Sequence, residues 1–269
     1  MCYSVLVRKT ITDSLKRYGA ITFRNADEDY AMRAVADPKH FSPLSSRVYP
    51  GHFAYVFFKD ADRIQVELMR YGTYPPIDGE AVRKYTSFNA RGDNLRSHFW
   101  SNAFMHHHGF VIVTAFFEWV SVRDLLKAGT VTIGEVEASF QRQQEERKTR
   151  ILGLGKKYKP TPTELKKPID RQIIIQFTPE DGSDLVVPVI FSRNPNQSSE
   201  SAFNGGFAII TDEPPPEITR AGHDRCPVIF ETGVELEWLS LHGKSAHDLE
   251  ILLDRKRRTF FRHQLADVS

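Results

Sequence analysis

The 269-residue chain has two cysteines, Cys2 and Cys226. That poverty excludes a disulfide framework and fits a reducing compartment. Net charge is nearly absent as well, since 36 Lys+Arg against 34 Asp+Glu leave +2 at pH 7. No chain-wide field therefore advertises a nucleic-acid partner, and any such function must come from local patches. Long apolar runs are missing. A spanning helix needs about 20 apolar residues, whereas the richest stretch, 110–120, is far shorter and contains Glu118. No charged segment followed by an apolar one opens the sequence, so no secretory leader is expected and the expected location is cytoplasmic. Repeats and long low-complexity tracts are absent too. What remains is 41% hydrophobic and 26% charged, an ordinary globular composition with enough chain for a core that needs no staples.

Short β-rich segments are scattered among irregular helices without strict βαβ alternation, which predicts the α+β class. Thr12 or Asp13 can cap a helix carrying Leu15 and Tyr18, and a second helix is expected over 26–36, ending before Pro38. Segments 53–59 and 64–71 read as one hairpin, and 173–177 with 185–191 as another around Glu180-Asp181-Gly182-Ser183. A buried strand is expected over 109–120, with further short strands at 207–211 and 228–230. Helices are expected over 93–105 and 246–264. Between 121 and 171 the character changes to a charged, partly helical stretch and then a Lys/Pro/Gly-rich loop. It has too few apolar residues for a core of its own and reads as a surface insertion within one domain spanning 1–269.

Four places hold residues suited to chemistry. Removal of the initiator Met, favoured by the small second residue, would leave Cys2 with its α-amine and thiol on adjacent carbons. An α-amine has a pKa of about 7.7–8, so part of it is neutral and able to condense with an aldehyde, after which the thiol closes a thiazolidine. The alternative is a frayed terminus with no role. Glu118 lies in the apolar run GFVIVTAFFEWV. Buried there it must be paired, reached by a cleft or protonated, and a raised pKa would suit proton transfer near neutrality; the alternative is an outward-facing position on a half-exposed strand. In AGHDRCPVIF, His223 suits proton traffic and Arg225 suits phosphate, while Cys226 reads as a small buried hydrophobe. In SFNARGDN, Asn89 and Arg91 precede a helix that Asp93 can cap; Arg91 either binds an anion or pairs with Glu80 or Asp93. His106-His107-His108 point in divergent directions and lack a second ligand set, so no metal or other cofactor is expected. The basic runs 156–167 and 254–263 can touch phosphate or simply be solvated.

Taken in order, MCYS, FNARGDN, FFEWV and FAIITDEPPPEITRAGHDRCPVIF resemble the SOS response-associated peptidase (SRAP) family of abasic-site processing proteins, from Cys2 to about Phe230. The resemblance implies a barrel-like α+β domain with a positively charged cleft that binds single-stranded DNA and crosslinks to abasic sites. By it, Cys2 matches the terminal nucleophile, Asn89 and Arg91 the Asn-Ala-Arg motif lining the site, and Glu118 the proton-transferring glutamate before Trp119. His223 matches the histidine that assists sugar-ring opening, and Arg225 a DNA-contacting arginine. It further implies a peptidase-like self-cleavage and a lyase-like Schiff base, with nucleoid association when DNA is bound; a monomer is expected. Departures are visible. Tyr3 and Ser4 follow Cys2 where many members have Gly-Arg, and Tyr71-Gly72-Thr73-Tyr74-Pro75 replaces Trp-Gly-Leu-Ile-Pro, leaving Tyr71 to stack on a base. Val113-Thr114-Ala115 replaces Ala-Asp-Gly. An N-terminal cysteine peptidase, with Asn89 as oxyanion donor, and a non-catalytic single-strand-binding module are the other readings of the same residues.

Overall fold

The computed structural model describes residues 3–7, 11–22, 26–36, 47–72, 87–193, 205–240 and 243–266. Cys2, Thr73, Tyr74, Pro75 and Glu80 lie outside the described residues. The strands are β1 (Ser4–Val7), β2 (Ile21–Thr22), β3 (Arg47–Val48), β4 (Phe53–Asp60), β5 (Arg63–Tyr71), β6 (Asn89–Arg91), β7 (His108–Ser121), β8 (Gln172–Pro179), β9 (Leu185–Arg193), β10 (Gly205–Asp212), β11 (Cys226–Pro227) and β12 (Phe261–Leu265). The helices are α1 (Thr12–Tyr18), α2 (Ala26–Ala36), α3 (Ser101–His106), α4 (Val122–Lys127), α5 (Ile133–Gly153), α6 (Pro216–Arg220), α7 (Val234–Trp238) and α8 (Ala246–Asp254). The mixed α+β class expected from the sequence is the one observed.

The pairings return on themselves. β4 pairs with β5, β5 with β10, β10 with β9, β9 with β7, and β7 again with β4, a barrel-like core of five strands. Apolar side chains fill both of its faces. Val56, Phe58, Met69, Val111, Val113, Val187, Val189, Phe207 and Ile209 belong to one buried cluster. Phe57, Val66, Phe110, Ile190, Ala208 and Ile210 form another with Phe104 of α3, Trp238 of α7 and Leu249 and Leu252 of α8. Burial on two faces is why these strands read as nearly continuous apolar runs rather than as alternation.

β7 is long enough to serve two sheets. Its first half pairs with β9 and β4; its second half carries β1 on one edge and β8 on the other, with β3 and β12 outermost. Between the halves the register with β1 jumps from Leu6↔Ala115 to Val7↔Val113. Thr114 is the extra residue of a β-bulge, and its hydroxyl donates to the Leu6 carbonyl at 3.3 Å.

Several expectations are corrected. Segments 173–177 and 185–191 lie in β8 and β9, but the two strands are not paired as a hairpin: β9 lies on the first half of β7 and β8 on the second. α1 starts after Ile11, and neither Thr12 nor Asp13 caps it through its side chain. The helix expected over 93–105 is a 3₁₀ turn at Gly92–Asn94 followed by turns and the short α3. The closing helix stops at Asp254, and Phe261–Leu265 instead adds β12 to the edge of β8. The short strand near 228–230 pairs one step earlier, as β11, with an isolated bridge from Phe230 to Lys256. The segment 121–171, expected as a surface insertion, is α4, the long α5 and a loop; α5 begins with a reciprocal Thr132–Glu135 capping box. No helix among the described residues is long and apolar enough to cross a membrane.

Candidate active site

Glu118 reaches its position through the bulge at Thr114. Successive strand residues face opposite sides, so an inserted residue changes which positions point inward. Val111 and Val113 before the bulge, and Phe116 and Val120 after it, join the same core cluster. Glu118 stands between the last two in the alternation and is fully buried. It is not the outward-facing residue of a half-exposed strand.

His223 is brought to it by the turn after α6. Gly222 takes φ +87, a left-handed conformation open to glycine. A Cβ at Gly222 would stand 2.8 Å from Asp124 Cβ and 3.1 Å from Val120 Cγ1, so the turn lies directly on the end of β7 and the start of α4. From this seat His223 Nε2 comes within 3.3 Å of Glu118 Oε2. On its other side Nδ1 lies 2.8 Å from the Arg225 carbonyl and 3.2 Å from the Arg225 N–H that donates to it, so the backbone of Arg225 anchors the ring in either tautomer.

Burial pushes the Glu118 carboxyl well above the usual carboxylate range, and Asp224 adds to the effect. Burial also holds the His223 imidazole below its ordinary value. Both shifts favour the neutral form of each group. The two groups stand 3.3 Å apart, within the reach of a proton passed between an acid and a base. Gly222→Ala should cost about 1–3 kcal/mol of stability from left-handed strain and the clash with Asp124. Thermal melting checks this, and an unchanged midpoint would show that the turn is not held against β7.

The two predicted phosphate contacts meet on one carboxylate. β6 and β11 pair with opposite edges of β10, with Arg91 and Pro227 both in register with Thr211. This brings Arg91 and Arg225 together. Arg91 forms a bidentate pair with Asp93, Nε–Oδ1 3.0 Å and Nη2–Oδ2 2.6 Å, and Arg225 Nη2 reaches the same Oδ2 at 3.5 Å. Asp93 is thus occupied as a bridge, not as a helix cap. The trio keeps one net positive charge beside the Glu118–His223 pair. The sequence offers Asp93 both as a partner of Arg91 and as a helix cap; the structure keeps the first and adds Arg225, for which no local pattern gives a sign.

Asn89 is buried, and its Oδ1 accepts the Tyr71 hydroxyl at 3.3 Å. Tyr71 corrects an expectation: its ring is fully buried, stacked on Phe207 at 5.1 Å and edge-on to Phe88 at 5.7 Å. It has no face to offer a nucleobase and instead positions Asn89. The signal was present, because Tyr71 follows Met69 by two in β5 and both belong to the same core cluster.

The amino-terminal end of β1 is fastened beside this site. Tyr3 N–H donates to Phe117 O at 2.9 Å, and the Tyr3 ring packs on Tyr49 and Trp119. Buried Arg47 donates from Nε to Ser4 Oγ at 3.1 Å and lies 3.8 Å over the Phe117 ring. No sequence pattern marked Arg47, whose partners come from β1 and β7. Cys226 is buried, as expected of a small hydrophobe.

Other candidates are occupied elsewhere. The His108 ring is buried and stacked on Trp238 at 3.6 Å, with Nδ1 2.9 Å from the Trp238 carbonyl. Among the described residues no group of three or more His, Cys, Asp or Glu is placed to hold a metal ion. In the run 254–263, Arg255 pairs with Glu237, Lys256 with Asp212 and Arg257 with Asp181.

A family model described as "SOS response associated peptidase (SRAP)" matches residues 1–267. No curated protein matches the sequence. Among solved structures, a protein from Bacteroides thetaiotaomicron is similar with a TM-score of 0.61 at 15% identity, covering 98% of this chain and 91% of that one. A protein from Bordetella bronchiseptica has a TM-score of 0.58 at 14% identity, covering 99% and 100%. A phage-related protein from the same organism has a TM-score of 0.58 at 12% identity, covering 98% and 94%. At these identities the likeness is one of fold.

Proposed function

The chain belongs to the SOS response-associated peptidase family, and on that premise we propose that it captures abasic sites in single-stranded DNA as a thiazolidine on Cys2. The observation that carries the reading is the buried Glu118–His223 pair at 3.3 Å, next to the strand end from which the chain's first residues depart. Cys2 is one Cα step of about 3.8 Å before Tyr3, whose amide is bonded to Phe117.

An abasic deoxyribose equilibrates between a closed hemiacetal and an open aldehyde. His223 assists opening by a hydrogen bond to the ring oxygen. After removal of Met1, the Cys2 amine adds to the aldehyde carbon to give a carbinolamine. The acid proton of Glu118 goes to the departing hydroxyl, which leaves as water, and the nitrogen's proton then passes to the Glu118 carboxylate, restoring the acid and leaving the neutral imine. The thiol sulfur then adds to the imine carbon while its proton passes to nitrogen. The overall change is loss of one water, with no oxidant or reductant. A protonated Glu118 suits this role because a carboxylate would have no proton to give. Thiol closure removes the imine through which β-elimination would break the strand.

Arg91 and Arg225 hold the flanking phosphates, with Asp93 restraining both until a phosphate competes for them. Arg91→Ala should weaken binding to an undamaged single strand and reduce the log–log salt slope by about 0.7, the value for one lost phosphate contact. Asp93→Asn should do the reverse, tightening binding and steepening the slope. Fluorescence anisotropy between 50 and 200 mM salt measures both, and two unchanged slopes would remove the trio from the phosphate path. A peptidase using the same residues would cleave a peptide library and leave an abasic oligonucleotide uncoupled, so parallel assays separate the two activities.

A further inference from the structure

The insertion places a second aromatic and cationic surface next to the site just described. We propose that the cavity between Trp119 and segment 163–172 is a nucleotide subsite that extends the contact with single-stranded DNA; this rests on the DNA reading above. The cavity holds about 540 Å³ and is lined by Trp119, Thr163, Lys166, Asp170, Arg171 and Gln172, within the roughly 300–1,000 Å³ of small-molecule sites.

Its walls suit an unpaired nucleotide. Trp119 is 40% exposed on a strand that is otherwise largely buried, and Tyr3 braces its ring at 5.4 Å. A flat exposed indole offers stacking to any base. The acid in the lining, Asp170, is paired with Arg123 at 2.8 Å, leaving Lys166 and Arg171 as the cations facing a ligand. The Arg171 guanidinium lies 3.4 Å from the Phe140 ring centroid, which fixes its plane.

The loop supplying this wall is preorganised. Arg147 of α5 bonds Glu164 at 2.8 Å and the Lys159 carbonyl at 3.2 Å, and Tyr158 donates to Glu164 at 3.2 Å. Thr161 and Glu164 also exchange backbone and side-chain bonds. Glu164 is the sole carboxylate between 154 and 169, and it is spent on this internal lock. Lys156, Lys157, Lys159, Lys166 and Lys167 are all exposed. The loop therefore holds a cationic rim in place without the entropy cost of ordering it on binding.

Its relation to the reaction centre follows from strand geometry. Glu118 and Trp119 are consecutive in β7 and project to opposite faces. The insertion cavity therefore flanks the same stretch of β7 as the proton-transfer pair, on its other face.

The test is fluorescence anisotropy on the full chain with a labelled, undamaged oligothymidine and with its duplex. Lys166→Glu should lower affinity for the single strand and flatten the log–log salt slope by at least about 0.7, and Lys166→Arg should restore both. Trp119→Ala should weaken binding roughly five-fold or more, from the loss of one stacked base. Lys59→Glu, an equal charge change at the exposed end of β4, is the control. Equal effects of Lys166→Glu and Lys59→Glu would overturn the subsite, as would a Trp119→Ala chain that binds like the original or equal affinity for the duplex. Crosslinking to an abasic oligonucleotide is scored separately: a chain that forms no adduct overturns the reaction, and the undamaged strand still decides the subsite.

Discussion

Cys2→Ala should abolish a heat-stable adduct with an abasic single strand, whereas Cys2→Ser should leave at most a heat-labile one. The two substitutions separate the two bonds of the product. Alanine keeps an α-amine able to form an imine but has no second nucleophile. Serine offers a hydroxyl that is far less nucleophilic toward an imine than a thiol, so the open Schiff base persists and exposes the strand to β-elimination. Borohydride trapping followed by a denaturing gel distinguishes these states. Both variants should yield a reducible species and strand breakage, and neither the irreversible band of the original chain. An undiminished stable adduct on Cys2→Ala would place the covalent chemistry on another residue. A chain retaining an uncleavable residue before Cys2 should also lack the heat-stable adduct but, unlike Cys2→Ala, should form no Schiff base at the nitrogen of residue 2, which is then an amide without basicity.

Glu118→Gln should slow adduct formation by roughly 10²–10⁴-fold, the usual span for a general acid–base group, while leaving affinity for an undamaged strand close to the original. Glutamine keeps the shape of the neutral acid but cannot release its proton. The same substitution carries a stability signature whose sign follows from linkage. Burial raises the folded-state pKa of Glu118 above its ordinary 4.5, so the folded chain binds this proton more tightly than the unfolded one. Its contribution to stability is complete below that ordinary value and is lost as pH rises through the folded-state value. Glutamine has no such loss. The melting temperature of Glu118→Gln minus that of the original chain should therefore grow as pH rises above 4.5. His223 works in the opposite sense: its lowered pKa costs stability as pH falls below 6.5, and His223→Gln should remove that cost. A constant difference for Glu118→Gln across pH would mean that the carboxyl is ionised in the folded chain.

Much of this was legible along the sequence where a feature is local. The apolar run of β7 and the β4–β5 hairpin were visible because continuous apolar or β-rich segments bounded by turn residues need no knowledge of distant partners, whereas β8 and β9 were legible as strands but not their pairing with β7 in place of each other. The burial of Glu118 was left open for the opposite reason. The alternation that decides its face is reset by the bulge at Thr114, and a bulge exists only relative to the register of β1. The closing helix was overextended because 254–259 (Asp-Arg-Lys-Arg-Arg-Thr) holds no apolar residue for more than a turn. α8 buries Leu249, Leu252 and Leu253, and beyond Asp254 Arg257 pairs with Asp181, while Phe261 enters the core as part of β12.

The site divides along the same line. The chemistry of His223 and Arg225 was readable from residue type, and their meeting with Glu118 and Asp93 depends on β10 having β6 on one edge and β11 on the other. Tyr71 was assigned by substitution into a motif, where its position in β5 argued for the core. The Arg91–Asp93 pair was one reading of FNARGD, whereas the second ion pair of Asp93, to Arg225, joins residues 132 positions apart and has no local signal. Arg47 lay beyond reach altogether, because its contacts with Ser4 and Phe117 join segments far apart in the chain.

The most direct measurement is the intact mass of the full chain before and after incubation with a defined single-stranded abasic oligonucleotide. The account predicts a starting mass lacking Met1, and afterwards a heat-resistant species equal to that chain plus the oligonucleotide minus one water, with Cys2 the modified residue on peptide mapping. A chain that keeps Met1 yet still couples, or a processed chain that leaves the oligonucleotide free, would contradict it.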